Sequence, residues 1–348
     1  HWLRNESDLP QMIRKTALTA LLCIGTQLCS ASGTTTPDKI DVAITGVPAP
    51  YQKALQSILT LTQHPNYALS SSATLQASYQ QGFKEIRLQL EQYGYFNAKV
   101  HGNAQFDAAA HIWHFTYIVT PGPVTKITHV TLTISGDSKI QHRLHLLQQL
   151  SAVKTGNRLN LHDYEDLKNQ MLLAASQLGY FDAKLTEHHI DINRSQHTAD
   201  ITLKLNAGQR YTFGKVTFEQ HPNILDPAFL RRYMRFSSGA PYLTRKTNAL
   251  QQNLAQTDYF ASAMVTPMPD HKHKTVPLNV NLRAEKPFQY SIGAGCGTAT
   301  RVRGLVGWEW RYVTREGQYL NAQIQSSKIY TIFTANYVFP GENPMTED

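Results

Sequence analysis

The sequence is poor in cysteine: of three in 348 residues, Cys23 and Cys29 sit in a short apolar stretch near the amino terminus, leaving Cys296 alone in the remainder. A single thiol excludes an intramolecular disulfide framework. Gln27 and Leu28 precede Cys29 in place of the small residues that lipid attachment requires. The 15 histidines never take the Cys/His or His-Glu-x-x-His spacing of a zinc site; His188-His189, His197, and His271 with His273 read as solvated loop residues. Neither a metal nor another cofactor is expected. There is also no G-x-S-x-G stretch and no arranged triad, so hydrolase chemistry is excluded and no enzymatic activity is expected. The formal charge is +8, yet Lys and Arg are dispersed rather than gathered in a stripe. That speaks against nucleic acid and leaves an anionic lipid surface open.

The apolar run Ala17–Leu28 is too short to cross a bilayer as a helix, which takes about 20 residues. Arg14 and Lys15 precede it and Ser30, Ala31 and Ser32 follow, the order of a secretory signal peptide. Met12 is the expected start, residues 1–11 are upstream, and cleavage is expected near Ser32, so residues 1–32 stand apart from the mature fold.

What the chain has in place of motifs is a repeat. Residues 93–99 read YGYFNAK, 178–184 read LGYFDAK and 257–263 read TDYFASA, with Tyr95, Tyr180 and Tyr259 spaced 85 and 79 residues apart. A fixed period marks repeated modules, and this one is too long for a solenoid of 20–50-residue units. In the first unit Ile40, Val42 and Ile44 alternate as a strand. Helices are predicted around Pro50–Leu61 and Ser71–Tyr93, the second with Leu75, Tyr79, Phe83, Ile86 and Leu90 on one face. Gly94 then sits where a helix end favours a left-handed residue. A strand is predicted from Tyr95 to Val100, and a returning one from Ile112 to Val119. The second unit repeats this order through Ile127–Ile134, a helix carrying Tyr164, Leu167, Met171, Ala175 and Leu178, the cap Gly179, the strand Tyr180–Leu185 and the return Ile201–Leu205. In the third, Val216 and Phe218 form a strand, Asp226-Pro227 opens a helix, Leu250 and Leu254 belong to a second, and Val276–Leu282 is the last strand.

The predicted fold class is therefore α+β: three tandem β-α-α-β-β modules at 38–122, 123–208 and 209–286, each a small sheet covered by two helices. The pairs Tyr95-Phe96, Tyr180-Phe181 and Tyr259-Phe260 are expected to latch the second helix to the hairpin of their own module. The strand each pair opens is expected at the sheet edge, since the returning strand alternates more regularly. Exposed edges accept strands from other chains. Ala98, Val100, Ala183, Leu185, Met264 and Val265, within Ala98–Gly102, Ala183–Glu187 and Met264–Pro267, are thus the candidate partner-binding residues.

From residue 287 the pattern becomes purely period-two. Phe288, Tyr290, Ile292, Ala294 and Cys296 alternate with polar residues or Gly; Val302, Val306, Trp308, Trp310 and Tyr312 follow, then Leu320–Ile324 and Lys328–Phe339. Segments of about ten residues, apolar on one face, are the signature of transmembrane β-strands. Trp308, Trp310 and Tyr312 would suit an interfacial aromatic girdle. A soluble antiparallel sheet uses the same alternation, and four strands cannot close a barrel, for which about eight are needed. Residues 287–348 are expected to be an incomplete barrel belonging to a longer chain.

Signal peptide, three modules with Gly-Tyr-Phe hairpins at Gly94-Tyr95-Phe96 and Gly179-Tyr180-Phe181, and the start of a barrel together resemble the Omp85 superfamily, whose periplasmic repeats are POTRA domains. The module count resembles that of its translocation and assembly module (TamA-type) members. Two departures stand out: Asp258 replaces the motif glycine in the third repeat, and Arg303-Gly304-Leu305 is a strand segment rather than the family's barrel-loop motif. The resemblance implies a bacterial outer-membrane location with modules in the periplasm. It implies assembly or translocation of unfolded outer-membrane protein clients such as autotransporters, contact with outer-membrane lipid, and a TamB-like periplasm-spanning partner. The first barrel strand, with Tyr290, Ile292, Gly293 and Gly295, would open to template clients. A two-partner-secretion-type pore and a soluble periplasmic scaffold are the competing readings.

Overall fold

A computed structural model describes residues 39–297 and 301–342. The expected signal peptide and cleavage site, Cys23 and Cys29 lie outside the described residues.

The first module runs β1 (Lys39–Thr45), α1 (Ala49–Ile58), α2 (Thr60–Gln63), α3 (Pro65–Ala68), α4 (Ser72–Gln92), β2 (Lys99–Asp107) and β3 (Ile112–Thr120). The second is β4 (Lys126–Ser135), α5 (Ser138–Leu150), α6 (Leu161–Gln177), β5 (Lys184–Asn193) and β6 (Thr198–Asn206). The third is β7 (Thr212–His221), α7 (Pro227–Arg231), α8 (Thr244–Ala255), β8 (Phe260–Pro267) and β9 (Thr275–Ala284). Each sheet has three strands with the returning strand central, in the orders β1-β3-β2, β4-β6-β5 and β7-β9-β8. The first strand is parallel to the central one and the hairpin partner antiparallel. The three hairpins turn alike: His111, His197 and Lys274 each take positive φ, and their carbonyls accept the N–H groups of Lys39, Lys126 and Thr212.

Two expectations need correction. The first module has two extra helical turns, α2 and α3, where one helix was expected. Their chain breaks at Pro65 but still buries Leu59, Leu61 and Ala68. Glu85 of α4 holds the start of α2, accepting from the Thr60 N–H at 3.0 Å and from its hydroxyl at 2.5 Å. Second, the Tyr-Phe pairs of the first two modules do not open the edge strands. At the end of α4 the Tyr95 N–H reaches Leu90 O and the Gly94 N–H reaches Glu91 O; at the end of α6, Tyr180 N–H and Gly179 N–H do the same to Ala175 O and Ser176 O. These are double closures around a left-handed glycine (φ +84° and +93°) that throw the next residues sideways into a turn. β2 and β5 therefore start only at Lys99 and Lys184, so Ala98 and Ala183 precede them. The third repeat, with Asp258, lacks this turn, and β8 begins directly at Phe260.

Three cores result, one per module. The final element is an antiparallel meander of β10 (Phe288–Gly297), β11 (Arg301–Trp310), β12 (Tyr319–Ser327) and β13 (Thr331–Val338). Register aligns Tyr290 with Trp308, Ile292 with Val306, Val306 with Ile324, and Ile324 with Phe333. One face is thereby apolar, and it is uncovered: Ile292 is 87% exposed, Val302 74% and Phe333 66%. Among the described residues no helix is long and apolar enough to cross a membrane.

Candidate functional site

Two features outside the cores can do chemistry of recognition: the module seams and the strand edges. At the first seam, Gly94 O accepts the Thr125 N–H at 2.9 Å. Tyr95 packs on its own module, but Phe96 is buried in the core of the second, with the Arg194 guanidinium over its ring, 6.0 Å from the ring centre. Asn97 donates to Arg194 O at 2.7 Å, and Arg194 donates back to Phe96 O at 3.2 Å and pairs with Glu91 at 3.2 Å. The second seam repeats the plan. Gly179 O accepts the Tyr211 N–H at 2.8 Å, and Phe181 packs on Tyr211 and Tyr242 of the third module, both with ring centroids at 5.2 Å. Tyr180 stays in the core of its own module and donates its hydroxyl to Asp137. Asp182, standing where Asn97 stands, grips the next hairpin tip: Lys274 Nζ lies 2.7 Å away, His271 Nδ1 3.0 Å, and the Tyr211 hydroxyl 3.0 Å. The Lys274 and His271 contacts hold the Asp182 carboxyl down at about 2 despite the opposing effect of burial, with Tyr211 adding to them. The Lys274 ammonium is raised in turn, first by Asp182.

The latch reading is corrected accordingly. In the first two pairs the tyrosine serves its own module and the phenylalanine plugs the next one. Sequence periodicity sees only that both are apolar. The third pair departs again: Tyr259 and Phe260 are both buried in the third core, and the Tyr259 hydroxyl donates to Gly317 O in the turn between β11 and β12. That turn also receives the Asp226 N–H on Arg315 O at 2.8 Å. Tyr312, expected in a membrane girdle, instead packs on the third core and donates to Glu285 O at 2.9 Å. β11 ends at Trp310, and Trp308 and Trp310 lie against the Phe288 ring.

The edges differ in how well they are defended. β8 is the most covered: Val265 is buried and its N–H is taken by the Gln251 side chain of α8 at 2.9 Å, while Met264 is exposed. β5 carries Leu185 beside a bulge and a row of charge, with Glu187 paired to Lys204 and His189 between Glu187 and Asp191. Charge along an edge deters strand addition. β2 has neither defence. Between Lys99 and Asp107 it reads Val-His-Gly-Asn-Ala-Gln-Phe, is exposed at every position but the half-buried Val100, and borders a groove of about 360 Å³. Leu75 and Tyr79 of α4 line that groove with Ala104, Trp113 and Phe115. Sequence reasoning also overlooked the second edge of each sheet. The starts of β4 and β7 are bridged by Arg158 and Pro241 respectively. In the last sheet β10, with Tyr290, Ile292, Gly293 and Gly295, is an edge that among the described residues pairs only with β11.

Residues 128–208 and 211–284, the second and third modules, match the family described as POTRA, surface antigen variable number repeat. Among solved structures, BamA from Haemophilus ducreyi lacking POTRA domains 1–3 is similar with a TM-score of 0.51 and 19% identity, over 62% of this chain. The chain spans 40% of that protein's length. Looser superpositions are found with POTRA domains 3–5 of Haemophilus influenzae BamA (TM-score 0.40, 18% identity, 71% of this chain and 96% of that one) and with CdiB from Acinetobacter baumannii (TM-score 0.39, 13% identity, 78% of this chain and 51% of that one). The second and third modules thus match the POTRA description, and over 62% of its length the chain shares the fold of that BamA structure, small α+β modules leading into an antiparallel sheet.

Proposed function

We propose that this chain is an Omp85-superfamily factor of the TamA type, which assembles or translocates outer-membrane proteins from the periplasmic side. Its action is binding, not catalysis. The observation that supports this best is the undefended edge β2 beside the groove of Leu75, Tyr79, Ala104, Trp113 and Phe115. An extended client segment can add to β2 through main-chain hydrogen bonds while alternate side chains enter the groove. The uncovered apolar face of β10–β13, with Ile292, Val302, Val306 and Phe333 exposed, suits lipid, because contiguous exposed apolar surface marks an interface or a membrane. The free edge of β10 then offers the template on which a client strand pairs. A TamB-like periplasm-spanning protein and unfolded outer-membrane clients are the partners that follow.

The experiment places a photocrosslinking residue at Asn103 and compares it with the same label in an Ala104→Arg background, which fills the groove and charges the edge. Crosslinks to unfolded outer-membrane clients should appear and fall at least several-fold in the variant. Equal crosslinking in both would refute the assignment of β2. Membrane fractionation separates an embedded protein from a soluble scaffold.

A further inference from the structure

A cavity of about 640 Å³ lies at the second seam, lined by Lys139 and Arg143 of α5, Gln177 of α6, Arg210 between the modules, and Arg245 and Asn248 of α8. Four cationic side chains converge there, and among the described residues no carboxylate lines the wall. Arg210 is fixed in place, donating from Nε to Leu178 O at 2.8 Å and from Nη2 to Tyr242 O at 3.4 Å, with its guanidinium 5.9 Å from the Tyr180 ring centre. The acid its charge reaches, Asp137, is already held by the Tyr180 hydroxyl and by the N–H groups of Ile140 and Lys139. The cavity also meets the first turn of α8, whose N-cap Leu243 brings no side-chain acceptor.

The first seam shows that none of this is needed to join two modules. Matching helix N-caps and seam hydrogen bonds places Ala54, Val124 and His162 where the second seam has Arg143, Arg210 and Arg245. Packing accounts for Arg210, which ties Leu178 O to Tyr242 O across the junction, but gives no reason for gathering Lys139, Arg143 and Arg245 around it.

We infer that this cavity binds a phosphate-bearing anion, which clamps the second and third modules together. Three of the four cations are guanidiniums, whose forked donors match phosphate oxygens. The wall is built from helices and their connections with no strand edge, so an acidic polypeptide could not add main-chain hydrogen bonds there. The site is independent of β2 and of any client role.

The test is calorimetric titration of inorganic pyrophosphate into the purified protein at low salt, beside an Arg143→Gln/Arg245→Gln variant. Both side chains are exposed, so the variant should fold. Saturable one-to-one binding is expected, weakened about tenfold for each guanidinium removed. Hydrogen exchange at the Tyr211 amide should slow on binding in the wild type and stay unchanged in the variant. Competition by phosphatidylglycerol vesicles, but not phosphatidylcholine vesicles, would assign the phosphate to a lipid headgroup; its absence would assign it to a soluble phosphate. No saturable binding, equal binding by the variant, or binding of a polyglutamate peptide in place of pyrophosphate would overturn the inference.

Discussion

Phe96→Ala tests whether the aromatic turn joins modules or merely finishes one. Phe96 belongs in sequence to the first module but is 8% exposed among Ile127, Leu159 and Ala199 of the second core's cluster. Truncating a buried Phe costs about 3–5 kcal/mol, transfer and cavity together. The loss of the Arg194 guanidinium over the ring adds roughly 0.5–1 kcal/mol at this half-open site. The backbone links from Gly94 O to Thr125 N–H and from Arg194 to Phe96 O remain, so the seam is weakened rather than abolished. Because the ring would be exposed when the modules part, most of the penalty falls on the closed seam. At one decade per about 1.4 kcal/mol, opening should become about a hundredfold more frequent or greater. Whole-chain melting is a poor probe, since several modules do not unfold as one unit. Hydrogen exchange resolved by peptide is suited: protection should fall at Thr125–Ile127 and Leu159, while β3 and α4 keep theirs. Loss confined to the first module, or a change below a few-fold, would refute the inter-module role of Phe96.

The Asp182 cluster gives a pH prediction. Its folded pKa of about 2 lies below the ordinary 3.8, so its stabilisation of the second seam is complete above about pH 4 and is lost as pH falls through about 2. Exchange at Tyr211 should accelerate across that window, and Asp182→Asn should flatten the response while loosening the seam at neutral pH. Gly317→Val should free the last sheet from the third module. The position has φ +80° and a Cβ would meet the Phe229 ring at 2.4 Å, so strain of about 1–3 kcal/mol is expected, read as faster exchange at the Glu285 amide bound to Tyr259 O. Glu85→Ala removes both acceptors that hold Thr60, and should lower protection across α1 and α2 by about 1–3 kcal/mol without touching the second module.

Periodicity made the module order legible. Alternation along Ile201–Leu205 and Val276–Leu282 marked central strands because a strand flanked on both sides keeps one face against the helices along its whole length. Gly94 and Gly179 marked helix ends because few other residues take positive φ cheaply. The defended or open state of an edge was harder to read. Gln251 covering Val265 pairs residues 14 apart across two elements, and nothing in the local pattern announces it. The basic cavity was invisible for the same reason: Lys139, Arg143, Arg210 and Arg245 are dispersed along the chain and read as ordinary solvated charge.

The sequence by itself determined the repeat, the strand and helix order within each module, and the change to two-sided alternation after Phe288, since these depend on local periodicity and turn chemistry. Tertiary structure decided where the phenylalanines go, which edge stays open, and that the turn at Thr314–Gly317 docks on the third core. Those depend on which surfaces meet once the glycine turns have set the chain's direction, and that geometry is encoded across modules rather than within any one stretch.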